Sequence, residues 1–247
     1  MVPLISVCIP TYEMSGLGEP YLKHSLEILQ HQNFKNFDVV VSDNSKDDKI
    51  KILCSLFEKT LNITYLRNDV AYGISANLNN AIKHANGKIL KILFQDDFLY
   101  SNESLHDIAD AFDLSKDCWL VTSSEHSHDG KNYYRPYTPK INKKLVIGVN
   151  TISSPSVLSI KNISPKILFD ENLTWLMDCD YYYRCNLIYG DPVILKKINV
   201  VNRTGSHQVT NTLVDRNLKK NEFRYIFKKY GAQLSPLNRL ILFIKFF

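Results

Sequence analysis

The stretch Lys88-Ile-Leu-Lys-Ile-Leu-Phe-Gln-Asp-Asp-Phe-Leu-Tyr100 runs from an apolar segment straight into two adjacent carboxylates, Asp96 and Asp97. The density of Ile and Leu from Ile89 to Phe94 is that of a strand buried on both faces, the usual state of an inner parallel strand in an α/β sheet. The carboxylates then fall at the carboxyl end of that strand, the side of an open α/β sheet where ligands bind. Two carboxylates there suit a hard divalent cation and the phosphates it bridges, whereas an isolated Asp-Asp pair equally opens a solvated turn. The flanking sequence decides between the two.

Upstream, three short β-rich runs end in polar loops: Leu4 to Ile9 at Pro10, Phe37 to Ser42 at Asp43-Asn-Ser45, and Ile63 to Leu66 at Arg67-Asn68-Asp69. Proline donates no ladder bond, so the first strand is expected to stop before it. Between the runs, Leu22, Leu26 and Leu29, then Ile52, Leu53, Leu56 and Phe57, recur at helical spacing. A further helix opens at Gly73 and ends near Gly87, which suits the left-handed position past a helix C-terminus. Strands and helices in series predict a parallel sheet with right-handed crossovers. Thr11-Tyr12, Asp43, Asn68 and Asp96-Asp97 then line one sheet edge, a nucleotide crevice. No G-x-G-x-x-G follows the first strand and no G-x-x-x-x-G-K-[ST] occurs, so dinucleotide and P-loop binding are disfavoured and a metal must meet the pyrophosphate charge.

Downstream the pattern predicts a helix from Asn102 to Phe112, a strand from Cys118 to Ser123, and a turn-like cluster holding His126 and His128. These histidines lack a third ligand nearby and read as an exposed turn. Trp175 to Arg184 reads as a helix with Asp178 in its first turn, Val193 to Val201 as a strand, and Arg203 to Thr210 as a polar loop containing His207. A helix from about Asn211 to Tyr230 follows.

The chain has 247 residues, 45% hydrophobic and 22% charged, with a net charge of +5. That suits one large α/β domain, or one with a small appendage, and the modest charge favours anionic small molecules or lipid surfaces while giving no case for nucleic acid. Cys8, Cys54, Cys118, Cys179 and Cys185 form no CxxC pair and read as reduced core thiols of a cytoplasmic protein. The first residues read as a strand rather than a signal peptide, and no stretch approaches the roughly 20 apolar residues that span a bilayer.

Five motifs in order carry a resemblance: Ile5-Ser-Val-Cys-Ile-Pro-Thr-Tyr12, Val39-Val-Val-Ser-Asp-Asn-Ser45, the Gly73 to Gly87 helix, Phe94-Gln-Asp-Asp97 and Met177-Asp-Cys-Asp-Tyr-Tyr-Tyr-Arg184. Over roughly Leu4 to Gly190 the chain resembles the family 2 glycosyltransferases. The resemblance implies a GT-A fold, a Rossmann-like and mostly parallel sheet flanked by helices with a smaller mixed acceptor-side region. It also implies a nucleotide-sugar donor (UDP-, GDP- or dTDP-), a Mn²⁺ or Mg²⁺ ion, inversion at the anomeric carbon, and a glycan or lipid-linked acceptor in surface polysaccharide synthesis. By position, Pro10, Thr11, Tyr12 and Glu13 resemble the loop around the base, Asp43 the nucleobase acceptor, and Asn68 and Gly73 the loop beside base and ribose. Asn79 is kept where many members follow an Arg, here Leu78. Asp96 and Asp97 resemble the DxD region, one on ribose or metal-bound water and one on the metal, and the sequence leaves open which. Asp178 resembles the general base, with Asp180 its rival and Met177 in place of the usual Glu. His207 lies in the loop that resembles the segment closing over the diphosphate, as a metal or phosphate ligand or a plain loop residue. A sugar-phosphate nucleotidyltransferase and a non-catalytic nucleotide-sugar or glycan binding module are the other functions that this pattern admits.

The expected division is a glycosyltransferase domain over 1–210, with a nucleotide-sugar half (1–124) and an acceptor and base half (125–210), then a helical extension (211–247). Within it Leu237, Leu240, Ile241, Phe243, Ile244, Phe246 and Phe247 crowd a short segment with Arg239 and Lys245. Such a segment either docks as a core helix or lies in a membrane interface, here the inner face of the plasma membrane.

Overall fold

The computed structural model describes residues 2–246. Among the described residues nine strands form one sheet: β1 (Ile5–Thr11), β2 (Phe37–Asp43), β3 (Ile63–Arg67), β4 (Ile89–Ile92), β5 (Phe98–Leu99), β6 (Trp119–Ser127), β7 (Tyr133–Tyr137), β8 (Leu158–Lys161) and β9 (Val193–Arg203). Their order is β3-β2-β1-β4-β8-β6-β9-β5, with β7 on β6. β3, β2, β1 and β4 are mutually parallel, β8 runs antiparallel to both β4 and β6, and β6 and β9 are parallel. The first half is thus a crossover-built sheet and the second a mixed one.

Eight helices accompany it among the described residues: α1 (Gly18–Gln30), α2 (Lys49–Phe57), α3 (Ile74–His84), α4 (Ser104–Ala111), α5 (Met177–Tyr189), α6 (Val209–Thr212), α7 (Arg216–Tyr230) and α8 (Pro236–Phe246). Leu22, Leu26 and Leu29 of α1 and Leu78, Ala81 and Ile82 of α3 are buried in the same core as Ile5, Val7 and Ile9 of β1 and Ile89 and Ile92 of β4. Each fully buried Leu or Ile contributes about 1.5–3 kcal/mol, so this layer holds the strand ends in fixed register.

Four expectations about local structure change. β1 continues through Pro10 to Thr11, because β4 pairs it only as far as Cys8 and the proline lies beyond that ladder, partnered on the β2 side alone. Gly87 does not take a positive φ. It is required by a close approach, since a Cβ there would lie 2.5 Å from the Ser6 nitrogen. The helix expected from Asn211 is α6 and α7, with Asp215 capping α7 by accepting from the Leu218 N–H at 2.7 Å. β6 runs on through His126 to Ser127, so that histidine lies in a strand and not in a turn.

The five cysteines are free, and all but the half-buried Cys118 are buried. α8 docks on the domain by one face and leaves apolar side chains exposed on the other. Leu242 is fully buried and Lys245 Nζ donates to the Ile147 carbonyl at 2.7 Å, while Leu237, Leu240 and Ile244 stay exposed. Phe247 and the Phe246 side chain lie outside the described residues. No helix is long and apolar enough to cross a membrane among the described residues.

Candidate active site

The carboxyl ends of β1 and β4 are tied together by one side chain. The buried Gln95 amide donates from Nε2 to the Tyr12 carbonyl at 3.0 Å, and its Oε1 accepts the Tyr12 N–H at 2.7 Å. This paired bond fixes the loop after β1, so that Pro10, Tyr12 and Glu13 form one wall of a cavity of about 510 Å³. Gly73, the N-cap of α3 at φ +108°, adds a second wall. Burial raises the Tyr12 phenol above its usual value, with smaller contributions from Asp96 and Glu13.

Four of the expected donor residues stand behind these walls. Asp43 is fully buried, and its Oδ1 accepts from the Ser45 N–H at 2.8 Å while Oδ2 accepts from the Tyr65 hydroxyl at 2.8 Å. Thr11 donates to the Ser42 carbonyl and to Asp43. Asn68 donates to the Ala71 carbonyl at 2.9 Å, and Asn79 exchanges bonds with the Phe169 main chain at 2.8 and 2.9 Å. These groups shape the strand ends, and none of the four lines the cavity. In their place the cavity exposes Asn44 and Asn77, the latter held by donating to the Thr11 carbonyl at 2.8 Å.

Asp96 and Asp97 do different things. The Asp97 carboxylate is buried, accepting the Arg203 N–H at 2.8 Å and the Ser154 hydroxyl at 3.0 Å, so it pins the end of β9 to the end of β4. Burial pushes its proton affinity up, and the neighbouring Asp96 charge adds to this. Asp96 turns into the cavity, where its Oδ2 lies 3.2 Å from His207 Nε2. His207 reaches that position because Gly205 lies beneath its ring, where a Cβ would sit 2.8 Å from Nδ1. Its Nε2 is buried and makes no hydrogen bond among the described residues.

That orphaned nitrogen beside a carboxylate oxygen is the test of a metal. Two cis ligands of an octahedral cation at about 2.1 Å lie about 3 Å apart, close to the spacing seen, and a mixed nitrogen and oxygen pair suits Mn²⁺ better than Mg²⁺. Among the described residues no cluster of three or more His, Cys, Asp or Glu could hold a metal ion, so a cation held by this pair would take its other ligands from substrate or water.

Asp178 lies in the first turn of α5 and lines the same cavity as Asp96 and His207. Its Oδ1 accepts the Cys179 N–H at 2.6 Å and its Oδ2 accepts from Asn150 Nδ2 at 2.6 Å. Burial pushes the carboxyl up to about 6, and these hydrogen bonds oppose the rise. Asp180 is committed elsewhere: it is buried and binds Arg184 Nε at 2.8 Å, Lys229 Nζ at 2.7 Å and the Tyr230 hydroxyl at 2.6 Å. Tyr181 and Tyr182 are core residues.

Three further groups shape the site and were given no role from sequence. Gln95 stood in the quoted stretch, directly before the carboxylates. Trp175 lines the cavity, and its main chain is held by Glu222 of α7. That buried carboxylate accepts from the N–H groups of Thr174 at 2.7 Å, Trp175 at 3.1 Å and Leu176 at 2.7 Å, capping α5 from outside. Only the fold reveals this, across 46 to 48 residues.

Comparison with known proteins follows the same lines. The family model for glycosyl transferase family 2 matches residues 6–183. Glycosyltransferase MJ1057 of Methanocaldococcus jannaschii, itself uncharacterized, is 30% identical over 196 residues, 74% of this chain and 64% of that protein, so this chain spans under two thirds of that relative's length. The structure of S. aureus TarS 1–349 with UDP-GlcNAc superposes with a TM-score of 0.71 at 21% identity, covering 98% of this chain and 70% of that one. Mannosyltransferase PcManGT from Pyrobaculum calidifontis, solved with GDP-Man and Mn²⁺, gives 0.62 at 14% identity, covering 100% and 70%. These likenesses describe the fold, the GT-A arrangement. With the family model running from β1 into α5, the chain belongs to glycosyl transferase family 2.

Proposed function

We propose that this chain is an inverting, metal-dependent glycosyltransferase, moving a sugar from a UDP-, GDP- or dTDP-sugar to a hydroxyl of a glycan or lipid-linked acceptor in surface polysaccharide synthesis. The observation that carries the proposal is one cavity holding both the Asp96 and His207 pair and a carboxylate, Asp178, whose proton affinity is raised to about 6. A general base works best when its pKa lies near the working pH, and Asp178 meets that condition without a partner Glu.

In this scheme Tyr12, Pro10 and Asn44 border the nucleobase and ribose, and Asp96 and His207 face the diphosphate. A divalent cation held by that pair would neutralise the departing diphosphate. The acceptor hydroxyl gives its proton to Asp178 while its oxygen bonds to the anomeric carbon and the carbon–phosphate-oxygen bond breaks, in a single displacement. Trp175, held in place through its Glu222-bonded main chain, lines the same cavity as the base. The nucleotide sugars bound by TarS and PcManGT on the same fold support this class of donor.

The location that fits is the cytoplasmic face of the plasma membrane. Residues 211–247 hold eight Lys and Arg against Asp215 and Glu222, and α8 exposes Leu237, Leu240 and Ile244, a pairing that suits an anionic lipid surface. A nucleotidyltransferase would need a basic phosphate loop after β1, and residues 12–17 carry no Lys or Arg. The test is nucleoside diphosphate release from UDP-, GDP- and dTDP-sugars with Mn²⁺, with and without a membrane lipid extract as acceptor source. Release from one donor class, raised by the extract, is the expected result. Absence of release from all three, or pyrophosphate release from a nucleoside triphosphate and a sugar phosphate, would overturn the proposal.

A further inference from the structure

We infer that Asn150 is a positioning residue that aims the Asp178 carboxylate at the acceptor hydroxyl through a donated hydrogen bond. The inference rests on Asp178 being the base. A carboxylate on the first turn of a helix is free to rotate unless both oxygens are held. Here Oδ1 is fixed by the Cys179 N–H and Oδ2 by Asn150 Nδ2, each at 2.6 Å. The first bond is local to α5. The second comes from a loop 28 residues earlier and is the one that selects a direction.

Asn150 can do this because it has no freedom of its own. Its Oδ1 accepts the N–H groups of Ile152 at 2.9 Å and Ser153 at 3.0 Å, and Nδ2 also donates to the Ser153 carbonyl at 2.9 Å. All four amide valences are used, and only one assignment of oxygen and nitrogen satisfies them. The turn that it closes holds Ser153 at φ +116°, a conformation that costs free energy for any residue with a Cβ. That conformation is held from outside as well. The Tyr182 hydroxyl donates to the Ser153 carbonyl at 3.2 Å, and Asn202 Nδ2 donates to Ser153 Oγ at 2.8 Å. A strained turn fixed from two sides, whose one outward bond from Asn150 reaches the base, is what a rigid support for a reacting carboxylate requires. Three of the four amide bonds stay inside the loop, so turn formation and base orientation separate by substitution.

Asn150→Ser keeps a side-chain acceptor for the two N–H groups but cannot reach Asp178. Asn150→Asp keeps the acceptor and places a like charge against Asp178. The measurement is the pH dependence of kcat/KM for sugar transfer, with calorimetric donor affinity and melting temperature recorded alongside. Losing a donor to an ionised carboxylate moves the acid limb upward by about one pH unit in the Ser variant and further in the Asp variant, and lowers the rate at pH 6 about fivefold in the Ser variant, with donor affinity unchanged. Acid limbs superimposable on that of the unmodified protein in both variants, while Asp178→Asn is inactive, would overturn the role of Asn150 and leave the base assignment standing. An active Asp178→Asn would overturn the base assignment itself. A fall in melting temperature with an unmoved acid limb would assign Asn150 to turn stability alone.

Discussion

Asp178 and Asp180 are two positions apart on one helix, and their surroundings give them opposite duties. Asp178 accepts two hydrogen bonds and opens into the cavity, while Asp180 is sealed among Arg184, Lys229 and Tyr230. Asp178→Asn is expected to retain fold and donor affinity and to reduce turnover by about 10²–10⁴-fold, read by initial rates. Asp180→Asn is expected to lower stability by about 3 kcal/mol, read by denaturant unfolding, because it weakens a buried ion cluster. In the proposed role as base Asp178 must be ionised, and burial raises its carboxyl to about 6, so activity should fall as pH drops through about 6 and persist above it. A rate flat from pH 5 to 8 would contradict this. The Asp96-Asp97 pair was legible in the sequence as a motif. Its division of labour was not, because it depends on an N–H from Arg203, 106 residues away, and on a ring that folds over Gly205.

Elements with their own signature were readable and elements made by partners were not. β1, β2 and β4 announce themselves by buried apolar runs, whereas the two residues of β5 are a strand only because β9 pairs with them. α8 could be seen as apolar, but which face docks was decided by α7 and by the Ile147 carbonyl that binds Lys245. The tie between α7 and α5 was equally invisible. Glu222→Gln leaves an amide NH₂ facing three N–H donors and is expected to cost about 1–3 kcal/mol, read as a shift in the denaturation midpoint. An unchanged midpoint would remove Glu222 as the cap of α5. Deleting residues 236–247 removes the exposed apolar row together with Leu242 and Lys245. The expected result is a folded protein with lower melting temperature that no longer sediments with anionic liposomes. Sedimentation undiminished by the deletion would contradict the membrane contact.

At the scale of the molecule, the parallel half of the sheet followed from strands and helices in alternation, each crossover placing a strand end on the same edge. In the mixed half the strand expected from Val193 is β9, but the place of β8 between β4 and β6 had no local signal, because it is set by pairing with strands distant in sequence. The residues after 210 are bound to Leu176, Asp180 and Ile147 by Glu222, Lys229 and Lys245, so α7 and α8 brace the helix that carries Asp178. The central claim is that Asp96 and His207 meet a metal-bound diphosphate at the strand edge while Asp178 serves only the acceptor. Calorimetric titration of UDP-, GDP- and dTDP-sugars with and without Mn²⁺ tests this most directly, in the unmodified protein, Asp96→Ala and Asp178→Asn. Mn²⁺-dependent binding of one donor class, lost in Asp96→Ala and kept in Asp178→Asn, is the expected result; binding indifferent to Mn²⁺ and to Asp96→Ala would overturn it.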